Sequence, residues 1–254
     1  MKKLTIFIYG ILSYVMFLGV CVWGIGFIGN IKVSNSLDAL PNIPFSQALM
    51  INLGLLALFA IQHSVMARPA FKKWFTKYIP NAAERPTYVF LSNVAMVAIF
   101  WFWEPMGGVI WSTESEFIKN SVLTFYMFGW ALVVIATFLI DHFHLFGLKQ
   151  IWCELKGQKL PPAKFVMPSL YKRVRHPLYV GWLIVFWATP IMTVSHLVFA
   201  LMCTAYILVA VQFEEKDLEA EFGEKYRQYK EAVPMIIPAL KARKLTEKEL
   251  VSKS

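Results

Sequence analysis

Residues 1–27 read MKKLTIFIYGILSYVMFLGVCVWGIGF, and this stretch decides the class of the protein. Two lysines lead into an apolar run over residues 5–28. A helix needs roughly 20 such residues to cross a bilayer. The run is too long for the hydrophobic part of a secretory leader, and no small-residue cleavage site follows it, so it reads as a first membrane span. Four further apolar runs cover 45–66, 87–103, 121–146 and 178–213. The chain has 254 residues, of which 57% are hydrophobic, well above the apolar share of a soluble domain.

The last run is too long for one span, and Pro190 lies inside it, followed by Thr193, Ser195 and His196. Proline lacks an N–H and its ring clashes with the preceding turn. The run therefore reads as a short helix over 178–189, a break, and a longer helix over 193–213. The short limb has to be re-entrant or tilted, because unpaired backbone cannot face lipid. The expected fold is an all-α integral membrane protein: four full spans, a C-terminal helical hairpin and a cytoplasmic tail helix.

The formal charge of +9 follows topology rather than a nucleic-acid footprint. Bases are dense at Lys2 and Lys3, in 67–86, in 147–177 and after 213. They are sparse in 30–44 and 104–120. This alternation predicts a positive-inside arrangement with both termini cytoplasmic, and no nucleic acid is expected as a partner. Segment 67–80, ARPAFKKWFTKYIP, is either a short interfacial helix or a plain basic connector. Beyond Phe213 the composition turns polar, with Leu218, Phe222, Tyr226 and Tyr229 at helical spacing and the final dozen residues solvated. Cys21, Cys153 and Cys203 have no metal-ligand spacing and predict no disulfide framework. The sequence shows no internal repeat.

The densest chemical cluster is RVRHPLYVGW, 173–182, where the hairpin enters the membrane. Arg175, His176 and Tyr179 bring together a cation, a titratable ring and a phenol. Pro177 suits the first turn of the following helix, and Gly181 permits close approach by a ligand or another helix. The plainer reading is a positive-inside cluster with an interfacial tyrosine. Glu214 and Glu215 follow the returning helix and either share a polar pocket with that cluster or begin a solvated helix. His63, next to Gln62, ends the second span, and Glu84, Arg85 and Tyr88 open the third on the same side. These line the same pocket or anchor their helices. Asp141 and His144 share a helix face at the end of span four. With His142 they are too few for a metal site, and none is expected. His196, at the far turn, reads as structural.

RHPLYVGW at 175–182 and EEKDLEAEFGEKYRQYKEAVP at 214–234 resemble, in order and spacing, the C-terminal signature of the isoprenylcysteine carboxyl methyltransferase superfamily. Membrane phospholipid methyltransferases share that pattern. NLGLLALFAIQHSVMARPAFKKW at 52–74 and ERPTYVFLSN at 84–93 resemble one branch, the bacterial methanethiol S-methyltransferases. A nitrite- and nitric-oxide-associated membrane family shares similar upstream features.

The resemblance implies S-adenosylmethionine as methyl donor. It implies one domain over 1–254, with 175–234 as the main donor-binding region. Arg175, His176 and Tyr179 are expected to line the donor site, with Glu214 and Glu215 closing it. Leu218, Phe222 and Gly223 match the rest of the signature, as do Tyr226 and Tyr229, which cover the cofactor or pack the tail. The branch implies methylation of methanethiol, a small volatile thiol, to dimethyl sulfide by in-line transfer to the thiolate in the bacterial inner membrane, with lipid as its surroundings. His63 is the first choice for the substrate-side base and Glu84 the second. Competing readings are a methyltransferase acting on a phospholipid amine or a carboxylate, a membrane reductase, or a transporter without enzymatic activity.

Overall fold

The computed structural model describes residues 2–162 and 165–238. The described residues are mostly helical: α1 (Lys2–Gly29), α2 (Phe45–Ala67), α3 (Pro69–Phe75), α4 (Asn81–Phe102), α5 (Glu116–Ile140), α6 (His142–Leu145), α7 (Leu148–Lys156), α8 (Pro177–Trp187), α9 (Val194–Phe222) and α10 (Glu224–Ala232). Strands β1 (Val109–Ser112) and β2 (Ile191–Thr193) pair antiparallel, so the helical body carries one small ribbon.

Among the described residues, four helices, α1, α2, α5 and α9, are long and apolar enough to cross a membrane. Their outward faces carry large exposed side chains such as Leu12, Val22, Phe125 and Val209. A surface of that kind is stable against lipid and not against water. The chain is an integral, multi-pass membrane protein. α4 is 22 residues long; it opens with Asn81, Glu84 and Arg85 and carries Ser92 and Asn93 further along. Both are buried, and Asn93 donates to the Ser13 carbonyl of α1 at 3.0 Å. The core is aromatic at its centre, where Phe27, Phe100, Trp103 and Phe199 meet.

The bundle has two distinct ends. At the base-poor end, Asn52 ties the start of α2 to Glu104, the β-ribbon joins 109–112 to 191–193, and Asp38 reaches His196. The basic end gathers α3, α6, α7, the 165–176 segment and α10. The 67–80 segment resolves into the short helix α3, with Trp74 and Tyr78 exposed.

Several boundaries differ from the sequence reading. The fourth apolar run does not continue to 146 as one helix. It stops at Ile140, because the Asp141 side chain accepts from the His144 N–H and caps a new short helix. Asp141 also pairs with Lys149 at 2.7 Å, so it is a cap and an anchor for α7. The hairpin's short limb ends at Trp187 rather than 189, and its ascent is completed by extended chain that pairs as β2. The returning helix does not stop at 213. It runs unbroken to Phe222, and the stop is Gly223, whose φ of 59° favours glycine. The final dozen residues lie outside the described residues.

Candidate active site

α8 begins where the sequence predicts, with Pro177 in its first turn. The two residues before it are held by the tail. The Arg175 and His176 N–H groups donate to the Pro234 and Met235 carbonyls at 2.9 and 3.1 Å. The 233–235 segment therefore folds back onto the mouth of the hairpin.

α9 runs beside α8 and presents Glu214 and Glu215 at this mouth. Consecutive helical residues point about 100° apart, and the two carboxylates have separate surroundings. Glu215 is buried and receives Arg175 Nε at 2.8 Å, His176 Nε2 at 3.0 Å and Lys230 Nζ at 3.1 Å. Glu214 is 42% exposed and accepts from the Tyr179 hydroxyl at 2.6 Å. The His176 and Tyr179 rings stack with centroids 5.3 Å apart.

Arg175 is engaged by the protein itself. Besides the bond from Nε to Glu215, its Nη1 donates to the Lys230 carbonyl at 2.8 Å and also to the Val233 carbonyl, capping the end of α10. Lys230 is held above its ordinary pKa by hydrogen bonds to Glu219 and Glu215. Tyr229 is buried and donates to the Tyr171 carbonyl at 2.7 Å, so it packs the tail. Tyr226 is also buried, and its hydroxyl has no hydrogen-bond partner among the described residues. A buried, unpaired hydroxyl is uncommon in a folded protein. Glu215, Arg175 and Glu214 all lie within its electrostatic reach.

His63 belongs to a second polar group, between α2 and α4. Its Nε2 lies 2.7 Å from the Tyr88 hydroxyl and its Nδ1 lies 3.1 Å from Ser92 Oγ. Phe59 stacks on the ring at 5.0 Å. Tyr206 of α9 meets the Phe59 ring edge-on at 6.1 Å, so this group reaches the helix that also carries Glu214. Tyr206 bonds Ser64 at 3.2 Å. The sequence reading singles out neither Tyr206 nor Ser92. The one signal for Tyr206 is its place two helical turns before Glu214 on α9.

Glu84 is half-buried in the first turn of α4, one turn before Tyr88. It makes no hydrogen bond or ion pair among the described residues, and its charge is felt by Lys72. Lys72 is itself held below its ordinary pKa by burial and by Arg85. Arg85 donates to the Leu145 carbonyl at 2.6 Å and lies over the Tyr88 ring at 4.7 Å.

The model of the isoprenylcysteine carboxyl methyltransferase family matches residues 129–221, which take in α8 and both glutamates. A methanethiol S-methyltransferase of Crocosphaera subtropica is 49% identical over 94% of this chain and 93% of its own length. One from Mycobacterium tuberculosis is 44% identical over 94% of this chain and 98% of its own. Nurim of Bos taurus is 30% identical over 75% of this chain and 78% of its own. No solved structure matches the chain. Identity at this level over nearly the whole length carries the conclusion that the chain belongs to the methanethiol S-methyltransferase family.

Proposed function

We propose that the protein transfers a methyl group from S-adenosylmethionine to methanethiol, giving dimethyl sulfide and S-adenosylhomocysteine. The observation that carries this reading is the presence of two polar groups that both involve α9. The half-exposed Tyr179–Glu214 pair opens at the basic end, and the His63–Tyr88 pair lies within the apolar bundle beside it. A charged donor and a small apolar thiol need those two environments side by side.

The residues present suit the donor. Glu214 has a carboxylate oxygen beyond the one bonded to Tyr179, and it is the acceptor for ribose hydroxyls. His176 and Tyr179 serve the amino-acid end of the donor. Tyr226 offers its unpaired hydroxyl. Arg175 and Glu215 work one step back, fixing the fold of 175–234, the main donor-binding region. Tyr229 supports Tyr226 by packing the tail. When bound, the donor supplies an electrophilic methyl group on a positively charged sulfur.

On the acceptor side, the nucleophile is the thiolate. His63 takes the thiol proton, and Glu84, unpaired and one turn from Tyr88, is the second choice. The apolar surroundings of α2 and α4 exclude water from the reacting atoms. The basic end faces the cytoplasm of a bacterial inner membrane, with both termini on that side. The single unit spans 1–254 and works surrounded by lipid.

The test uses purified protein in mild detergent and donor labelled on its methyl group. Methanethiol, a phospholipid amine and a prenylated-cysteine carboxylate are offered together, and products are identified by mass. Labelled dimethyl sulfide with little other product supports the proposal. Transfer only to a larger acceptor overturns the substrate and keeps the donor site.

A further inference from the structure

The hydrogen bonds around His63 have a direction, and the direction assigns a role to Tyr88. The Ser92 hydroxyl donates to Gln62 Oε1 at 3.3 Å. With its own proton committed there, Ser92 Oγ accepts from His63 Nδ1 at 3.1 Å. Donor and acceptor accounting of this kind fixes the imidazole tautomer. The ring proton sits on Nδ1, and Nε2 presents its lone pair to Tyr88. The Tyr88 hydroxyl lies 2.7 Å from Nε2 and 3.1 Å from Nδ1, and with the Nδ1 proton given to Ser92 it donates to Nε2. Its oxygen then keeps lone pairs free to accept one further hydrogen bond.

Tyr88 is buried, with Arg85 against its ring and His63 against its hydroxyl. Both ring nitrogens of His63 are occupied, one by Tyr88 and one by Ser92, and Phe59 stacks on the ring, so the Tyr88 oxygen, not His63, keeps a free acceptor site.

Resting on the methyl-transfer reading above, we infer that Tyr88 is the group that touches the thiol, and that it relays the thiol proton to His63. The thiol S–H donates to the Tyr88 oxygen. As the S–H bond breaks, its proton passes to that oxygen, and the phenolic proton passes to His63 Nε2. The sulfur keeps the electron pair and attacks the methyl carbon, and the bond from that carbon to the donor sulfur breaks with its electrons going to the leaving sulfur. One positive charge is lost at the donor and one appears on His63, so the net charge of the closed site is unchanged. That conservation lets a partly buried ring act as the acceptor, because an uncompensated buried charge is costly.

Tyr88→Phe keeps the ring and removes the hydroxyl. The expected result is a fall in kcat on methanethiol of about 100-fold near neutral pH, the usual scale of a lost proton-transfer group. The deficit shrinks as pH rises and solvent supplies thiolate directly, while donor affinity stays at the wild-type value. His63→Gln gives the same pH-dependent deficit, and the double variant loses no more than either single one. If Tyr88→Phe does not fold, the pH dependence of His63→Gln and of a Ser92→Ala variant carries the test. A loss independent of pH, or none, overturns the relay. If wild-type protein binds donor but methylates no thiol, the functional reading fails and the relay falls with it.

Discussion

Arg175 and Glu215 meet at 2.8 Å in a pair where neither side chain is more than a tenth exposed. Forty residues separate them in the chain, and their contact closes the end of the α8–α9 hairpin. Removing one member leaves the other charge buried. Glu215→Ala should therefore destabilise the protein by about 3–5 kcal/mol. Glu215→Gln, which keeps the shape and loses the charge, should fall between. Denaturation of the purified variants in detergent, followed by tryptophan fluorescence, measures the difference. A stable Glu215→Ala protein would mean that the pair does not hold the hairpin.

Glu214 is adjacent in sequence and opposite in consequence. It is half-exposed and bonded to Tyr179, so its loss should cost little stability. Glu214→Gln should weaken donor binding by about 10-fold, the scale of a hydrogen bond to a charged group. Calorimetric titration with the donor checks this, with thermal denaturation as the control. Donor affinity equal to wild type would remove Glu214 from the site.

The spans were legible because an unbroken apolar run of roughly 20 residues matches the thickness of a bilayer and few soluble cores. The hairpin break was legible because Pro190 cannot continue a helix. The tail boundary was misleading: polarity changes sharply at Glu214, yet a helix needs backbone geometry rather than a given composition, and only Gly223 stops it. The end of α5 was hidden in the same way, since Phe143, Leu145 and Phe146 continue the apolar run past the cap at Asp141. β1 and β2 are too short to show an alternating pattern. In the site, the resemblance carried by 175–182 and 214–234 implied that Arg175, His176, Tyr179 and the two glutamates share a pocket, while the residues alone left a solvated helix start open for Glu214 and Glu215. The division of labour between Glu214 and Glu215 was not legible, because it depends on how α10 folds back.

Gly181 permits close approach by a ligand or a helix, and the neighbour it admits is α5. A Cβ at Gly181 would lie 2.8 Å from Val133 Cγ2 and 2.9 Å from the Val133 backbone nitrogen. Backbone cannot step aside as a flexible side chain can. Small residues at such crossings let membrane helices pack closely. Gly181→Ala should cost about 1–3 kcal/mol, the usual scale of overpacking. Gly54→Ala, where nothing lies within 4 Å of the added carbon, should be close to neutral. Paired denaturation curves decide the matter, and equal stability of the two variants would refute the tight α5–α8 contact.

The base-poor end carries a polar lock of its own. His196 is fully buried, with Nδ1 at 2.9 Å from Asp38 and Nε2 at 3.0 Å from the Phe186 carbonyl. That carbonyl is in the last turn of α8, where helical partners run out. Burial pushes the Asp38 carboxyl pKa up, but hydrogen bonds from His196, Thr193 and Asn30, with the charge of His196, outweigh it and hold the pKa below its ordinary value. A carboxylate depressed in the folded state contributes stability above its unfolded pKa and loses that contribution as pH falls through the folded one. Thermal stability of the wild type should therefore drop in acid, below about pH 4. Asp38→Asn should be less stable at neutral pH and should show a flatter acid limb. Its donor affinity should match the wild type, because Asp38 lies at the end of the bundle opposite Glu214. Thermal denaturation across the acid range, with donor titration at neutral pH, measures both. An acid limb as steep in Asp38→Asn as in the wild type would assign the sensitivity to another carboxylate.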